Sequence, residues 1–372
     1  MLVTDTPAHR IGRAVRALAF ITALVAIGAS AAAQTNKPAR SKAHPAAAPA
    51  ASAPASTAAP VPFVNGYRIA PQPAWVIAVD APVKAGASSS QSPSYRLLLS
   101  DVQTRLDAPG EQQQFVRSRL VATESAALAE VSKAELHFNP AYQTMTLHEA
   151  AIWRDGVRQD RLSSARIELL RREERLEQST LTGTQTLLVV LNDVRVGDAV
   201  DIAYTVHGAN PIFKGRYADN YQVNFGAPAD VVHVSVDHPA NRPLRTKGIR
   251  SEVVPEETSV GERRLLRVLR RDVPMVRSEE QVPPWYKVWP SVHISEYTDW
   301  SEVTQWADEL FADGADLGPE LGARIDAWRQ QNLPPEQLAG EVLEAVQDEV
   351  RYFSASLGES SHRPKPPART FA

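Results

Sequence analysis

The chain contains no cysteine. Thiolate nucleophiles, zinc–thiolate sites, disulfides and dithiol redox chemistry are therefore excluded for this chain acting alone. A charge excess is missing as well. The formal net charge is −3 over 372 residues, which leaves no electrostatic footprint for nucleic acid. The basic pairs Arg263-Arg264 and Arg270-Arg271 sit beside acids or alternate with apolar residues, as on a solvated strand face. Beyond the N-terminus no apolar run approaches the ~20 residues that a membrane helix needs. No G-x-S-x-G elbow, P-loop or dinucleotide glycine fingerprint is present.

The first residues read as an export signal. Arg10, Arg13 and Arg16 form a positive n-region, and Ala17 to Ala29 is apolar apart from Thr22 and Gly28. Small residues at Ala31-Ala32-Ala33 place cleavage after Ala33. An uncleaved anchor is the alternative. No cysteine follows the site, so a lipoprotein anchor is not expected. The mature chain is expected to be soluble and secreted or periplasmic, with a net charge of −5 once three Arg and one Asp are removed. Residues 34–62 form a linker with 11 Ala and 6 Pro in 29 residues, too poor in large apolar side chains to bury a core.

From about Trp75 to Pro283 the pattern has period two. Val200, Ile202, Tyr204 and Val206 alternate with Asp201, Ala203, Thr205 and His207, predicting a strand with one buried face. Val232, Val234 and Val236 alternate likewise with His233, Ser235 and Asp237. Tyr95–Leu106, Phe115–Ala122 and Met145–Trp153 are further strands, and Asp155-Gly156 and Gly197-Asp198 are turns. Leu162–Glu177 suits either a helix or a strand with a charged exit, and the strand is preferred. Residues 63–290 are therefore expected to form a β-sandwich.

Near Pro290 the period changes. Asp299 with Glu302 predicts a capped helix carrying Trp300, Val303, Ala307, Leu310 and Phe311 on one face. Pro319 opens a second helix with Leu321, Ile325 and Trp328. Pro334-Pro335 opens a third with Leu338, Val342, Ala345, Val346 and Val350. Residues 291–372 are thus assigned to a helical region.

Candidate chemistry is sparse. His233 and His238, five apart on a strand, point to opposite faces, and the other histidines lack ligand spacing, so structural histidines are expected and no metal site is assigned. The acid pairs Glu173-Glu174, Glu256-Glu257 and Glu279-Glu280 read as solvated charge. No catalytic or cofactor-binding residue is assigned. Trp285, Tyr286 and Trp289, flanked by Pro283-Pro284 and Pro290, have two readings. They form a docking surface for peptide or glycan, or an interdomain plug. The plug is preferred, because the cluster lies where the period changes.

The run Asn139-Pro-Ala-Tyr-Gln-Thr-Met-Thr-Leu-His148 and Trp153-Arg-Asp-Gly156 resembles a bacterial domain of unknown function that usually precedes a transglutaminase-like core. Asp193-Val-Arg-Val-Gly-Asp198, Tyr204 and Gly208-Ala-Asn-Pro-Ile-Phe-Lys-Gly-Arg-Tyr217 continue the resemblance over roughly residues 75–280. It implies a β-sandwich. Gln347-Asp-Glu-Val-Arg-Tyr-Phe353 and Leu357-Gly-Glu-Ser-Ser-His-Arg-Pro364 resemble the segment just upstream of the catalytic cysteine of such cores. Complete members continue into a Gly-Asp-Cys stretch, and a later histidine and acid complete a Cys-His-Asp arrangement. No position here matches the cysteine, the histidine or the acid. The expectation is a non-catalytic binding or scaffolding protein with an incomplete transglutaminase-like region, its partner an envelope protein or peptide. Two alternatives stand beside it. One is the front part of a transglutaminase-like peptidase or acyltransferase whose catalytic half lies on a missing or separate chain. The other is a carbohydrate-binding module.

Overall fold

The computed structural model describes residues 62–84, 93–170, 180–181, 183–277, 282–283, 286–312, 317–350, 354–355 and 362–370. The expected signal and most of the linker lie outside them, as do Trp285 and residues 171–179.

The strands follow the alternation in the sequence. In chain order they begin with β1 (Tyr67–Ile69), β2 (Tyr95–Leu106) and β3 (Gln112–Ala122), then, after the short helix α1 (Leu128–Val131), β4 (Lys133–Phe138) and β5 (Thr144–Arg154). Next come β6 (Val157–Asp160), β7 (Arg166–Leu170), β8 (Thr180–Leu181), β9 (Gln185–Val190) and β10 (Ala199–His207). The last group is β11 (Ala218–Gln222), β12 (Ala229–Pro239), β13 (Arg245–Ile249), β14 (Glu256–Val260), β15 (Arg263–Val273) and β16 (Ser291–Ser295). Asp155 and Gly156, at φ 53° and 82°, make the tight β5–β6 turn expected from the sequence. The ambiguous segment after Leu162 is a strand, β7, over its described part.

A long mixed sheet runs β1-β5-β10-β3-β2-β12-β15-β14, with β6 paired to β5. Two three-stranded antiparallel sheets, β4-β9-β7 and β11-β16-β13, pack side by side on its inner face. Under the first, Leu136, Phe138, Leu187 and Val189 meet Met145, Leu147, Ile152 and Ile202. Under the second, Tyr221, Val292 and Ile294 meet Val102, Val234, Val236 and Leu266. The protein is mainly β, in several sheets, with helices at the C-terminus. One strand of the second small sheet, β16, comes from residues assigned above to the helical region, so the β region extends to Ser295.

The helices are α2 (Trp300–Phe311), α3 (Gly318–Gln330) and α4 (Pro335–Glu349), followed by β17 (Ser354–Ala355), which pairs with β8, and a short α5 (Pro367–Thr370). The Asp299 carboxylate accepts from the Glu302 amide at 3.1 Å, and Glu302 accepts from the Thr298 amide at 2.8 Å. This is the expected reciprocal cap, shifted by one residue on its return arm. The buried face of α2 keeps Val303, Ala307 and Leu310 of the expected stripe but not its two ends. Trp300 and Phe311 are exposed at 52% and 64%, while Trp306 and Leu310 face the sandwich. The 100° step of the helix separates these pairs, and docking against residues 211–213 selects the second.

Candidate functional site

Alternating strands predict a polar outer face wetted by solvent. On β10 and β12 the structure corrects this, because both faces are buried. Asp201, Thr205 and His233 are 0% exposed and Ser235 is 2% exposed. Cross-strand register explains their chemistry. Asp201 lies opposite Arg119, Asp101 opposite Arg117, and His233 opposite Asp101. Opposite charges are therefore brought together across four adjacent strands on the outer face.

Asp201 is the most heavily bonded group there. Its carboxylate accepts from Arg117 at 2.9 and 2.8 Å, from Arg119 at 2.9 and 2.7 Å, and from Trp153 Nε1 at 3.0 Å. Burial pushes its pKa up, but the Arg117 hydrogen bonds and the charges of Arg117 and Arg119 outweigh this and hold it below the usual carboxylate range. Glu149 bridges Arg117 and Arg158 at 3.4 and 2.8 Å. Every charge in this row faces an opposite one.

Asp101 and His233 form a buried dyad, with Nδ1 to Oδ1 at 2.8 Å. Arg267 Nε, which can only donate, lies 3.3 Å from His233 Nε2. Nε2 therefore accepts from Arg267, which leaves Nδ1–H to be donated to Asp101. A general base uses the Nε2 lone pair, which here accepts from Arg267. Of the other described histidines, His137, His148 and His207 are engaged, while His238 is engaged at one nitrogen, its buried Nε2 having no partner among the described residues. His148 donates Nδ1–H to the Ala70 carbonyl at 2.8 Å and accepts from Thr205 at 2.7 Å, and His207 meets Thr146 at 2.9 Å. His238 is buried and bonded to the Pro239 carbonyl at 3.0 Å. Among the described residues no group of three or more His, Cys, Asp or Glu is placed to hold a metal ion.

The outer face is roofed by the chain's own N-terminal segment. After β1, residues 71–84 cross the sheet without joining it as a strand, turning once where the Val76 amide donates to the Pro73 carbonyl at 3.2 Å. Gln103, 1% exposed, accepts from the Ile77 amide and donates to the Ile77 carbonyl, both at 2.8 Å. Arg119 donates to the carbonyls of Ala81 and Pro82 at 3.1 and 2.8 Å, and Trp75 donates to Gln113 at 3.3 Å.

A second polar group lies between the layers. Thr104 and Tyr221 share a hydrogen bond of 2.6 Å, Tyr221 also meets the Tyr217 hydroxyl, and Gln114 donates to Asp219 at 2.9 Å. Burial raises the Asp219 pKa to about 6, with the Asn220 amide and Gln114 opposing the rise. Tyr217 and Tyr221 are pushed above the usual phenol range, first by burial.

The helices make a third feature. Trp306 stacks on Phe213 with centroids 5.5 Å apart and donates Nε1–H to the Ile212 carbonyl at 2.9 Å. His362 closes on both rings, at 5.1 and 5.8 Å. Lys214 pairs with Glu309, and Arg216 with Glu302 at 3.1 Å. So α2 is fastened to the sandwich. In contrast, α3 and α4 enclose an open groove of 260 Å³ lined by Leu321, Ile325, Trp328, Leu338, Val342 and Val346. No residue of α4 is buried.

Of the aromatic trio, Trp285 lies outside the described residues. The Trp289 ring lies 3.2 Å from where a Cβ on Gly226 would sit, and Tyr286 lies under Arg250 at 4.5 Å. Both partners belong to the β region. Sequence reasoning missed the row around Asp201, the Asp101–His233 dyad and the Asp219 group. The available signal was the charged alternation Arg117-x-Arg119 against Asp201, which becomes meaningful only once the register is known.

Residues 108–277 match DUF3857, a domain family of unknown function with a solved structure. The DUF3857 match runs from the turn before β3 to just past β15. It therefore includes Asp201, His233 and Asp219 but leaves out β1, β2, the roof segment and the helices α2 to α5. No curated protein matches the chain. The fold is similar to the crystal structure of a candidate protease from Parabacteroides distasonis ATCC 8503, with TM-score 0.61 and 14% identity over 73% of this chain and 53% of that one. This chain thus spans about half the length of that protein. An M1 zinc metallopeptidase from Deinococcus radiodurans gives TM-score 0.30 at 13% identity over 54% and 42% of the two chains. Yeast LTA4 hydrolase gives 0.28 at 12% over 59% and 36%.

Proposed function

We propose that this is an exported, periplasmic scaffolding protein, non-catalytic on its own, whose β-sandwich holds a helical platform in a fixed orientation for other polypeptide to cover. The observation that carries this reading is the contrast between the two ends of the platform. The rings of Phe213 and Trp306 fasten α2 to the sandwich, whereas the α3–α4 groove offers Leu338, Val342 and Val346 to solvent. Covering one such side chain is worth ~1.5–3 kcal/mol. The export signal at Arg10–Ala33 and the lack of cysteine support the compartment and the non-catalytic role. So does the Asp101–His233 dyad, whose lone pair is occupied.

A second reading has one observation in its favour. The fold is similar to that of a candidate protease about half of which has no counterpart here. The helices then belong to a transglutaminase-like core, as the resemblance of residues 347–364 implies, with the catalytic half on a missing or separate chain. Incubating the purified mature chain with fluorogenic peptide amides and with a glutamine–amine pair separates the readings. No turnover is expected from this chain alone. Hydrolysis or acyl transfer that co-purifies with it through successive columns overturns the scaffolding reading. Mass spectrometry of the exported form tests the address, with Gln34 expected as the first residue.

A further inference from the structure

We propose that the outer face of the long sheet, at Gln103 and Arg119, is a binding site for an extended peptide, and that residues 75–82 are its resident ligand in cis. This site is separate from the helical groove and does not depend on the scaffolding reading.

The contacts are those of peptide recognition rather than of sheet formation. Sheet strands exchange backbone hydrogen bonds, but here side chains of the sheet read the backbone of the crossing segment. The Gln103 amide pairs with both polar groups of Ile77, at 2.8 Å each way. A third bond, to Asp101 at 3.0 Å, fixes which way that amide faces. Asp101 is itself held by His233 at 2.8 Å. Arg119 offers Nη1 to the consecutive carbonyls of Ala81 and Pro82, while its Nε and Nη2 are fixed on Asp201. The reading groups are thus buried and oriented by groups behind them, as a preorganised site requires.

The resident segment is suited to exchange. Its side chains alternate between partly buried Ile77, Val79 and Ala81 and exposed Ala78, Asp80 and Pro82. Its contacts beyond β1 are a few hydrogen bonds made by side chains, without a ladder. The ligand class follows from the readers. It is an extended peptide of another protein, with a free N–H and C=O facing Gln103, two accepting carbonyls facing Arg119, and small apolar side chains at alternate positions. A short tether gives a resident segment an effective concentration of about 1 mM, so an incoming peptide competes poorly until the tether is cut or the segment is drawn away.

The test keeps the full chain and adds a protease recognition sequence between Ser88 and Ser90. A fluorescent peptide of residues 66–84 is titrated before and after cleavage. Uptake is expected after cleavage, and for a segment Kd of about 10 μM a tether at about 1 mM makes it about 100-fold weaker before cleavage. A peptide with Pro in place of Ile77 loses the N–H that Gln103 accepts and is expected to bind at least about 10-fold more weakly. One with Ser in place of exposed Ala78 binds unchanged. Gln103→Ala in the cleaved chain weakens uptake of the parent peptide about 10-fold. Retention of the cut segment without exchange makes it a permanent part of the fold and overturns the proposal. Unfolding on cleavage overturns it too, as does equal binding of the proline peptide. As an independent readout on the uncut protein, Gln103→Ala is expected to speed hydrogen exchange at the Ile77 amide while leaving β3 and β10 unchanged. An unchanged Ile77 rate overturns the proposal.

Discussion

Trp306 of α2 stacks on Phe213 of the sandwich, with ring centroids 5.5 Å apart and planes 24° from parallel. The same indole donates to the Ile212 carbonyl at 2.9 Å, and Asn210 fixes that turn by accepting from the Ile212 amide at 3.1 Å. One residue thus couples a helix to a turn that is itself capped.

Trp306→Ala is therefore expected to loosen α2 without melting the sandwich. The loss combines buried ring area with an aromatic pair, about 1–3 kcal/mol in all. Hydrogen exchange should accelerate in residues 300–311 and stay unchanged in β2, β3 and β12. Acceleration in all of these together would show that the helix is integral to the core.

Asp201→Ala leaves Arg117 and Arg119 facing each other without their shared carboxylate. Removing one partner of a buried ion pair costs about 3–5 kcal/mol. The urea midpoint is expected to fall accordingly. Arg166→Ala, which breaks a pair exposed at 68% and 39%, should cost less than about 1 kcal/mol and leave the midpoint nearly unchanged.

Two groups give opposite pH dependences over one window. Burial lowers His207 to about 4, helped by the charge of Arg68. Its unfolded form binds a proton first, so stability is lost as pH falls from about 6.5 towards 4. Asp219 is raised to about 6, so its native form holds the proton longer and stability is lost as pH rises from about 4 to 6. The two slopes offset each other in the parent protein. Asp219→Asn should leave stability rising more steeply with pH between 4 and 6, and His207→Gln should do the reverse. Denaturation at a series of pH values reads both.

Gly208 adopts φ +100°, and a Cβ there would overlap the Tyr142 carbonyl oxygen. Gly208→Ala is expected to destabilise by more than the roughly 1 kcal/mol typical of a point change, because backbone strain and overlap act together. Thermal unfolding measures it. The exposed turn glycine Gly110, with open space around it, serves as the reference.

The strands were legible because their side chains alternate, and β2 is found from Tyr95 to Leu106 as the pattern predicts. Helix starts were legible from Asp299, Pro319 and Pro335, which act locally. What sat on each face was not. Asp201 and His233 look solvent-facing by period two, yet the segment around Ile77 roofs them from more than a hundred residues away in sequence. Likewise the place of Trp306 on the docked face of α2 depends on Phe213, not on the helix's own pattern. Tertiary cover of this kind leaves no periodic trace in either segment.

The central claim is that the sandwich is a finished body carrying a platform that needs cover. Hydrogen exchange of the purified mature chain, read by mass spectrometry across β2, β3, β12, α3 and α4, tests it most directly. The account predicts strong protection in the three strands and exchange at least about 100-fold faster in α3 and α4, as for a locally less stable unit. Uniform protection across strands and helices would contradict it.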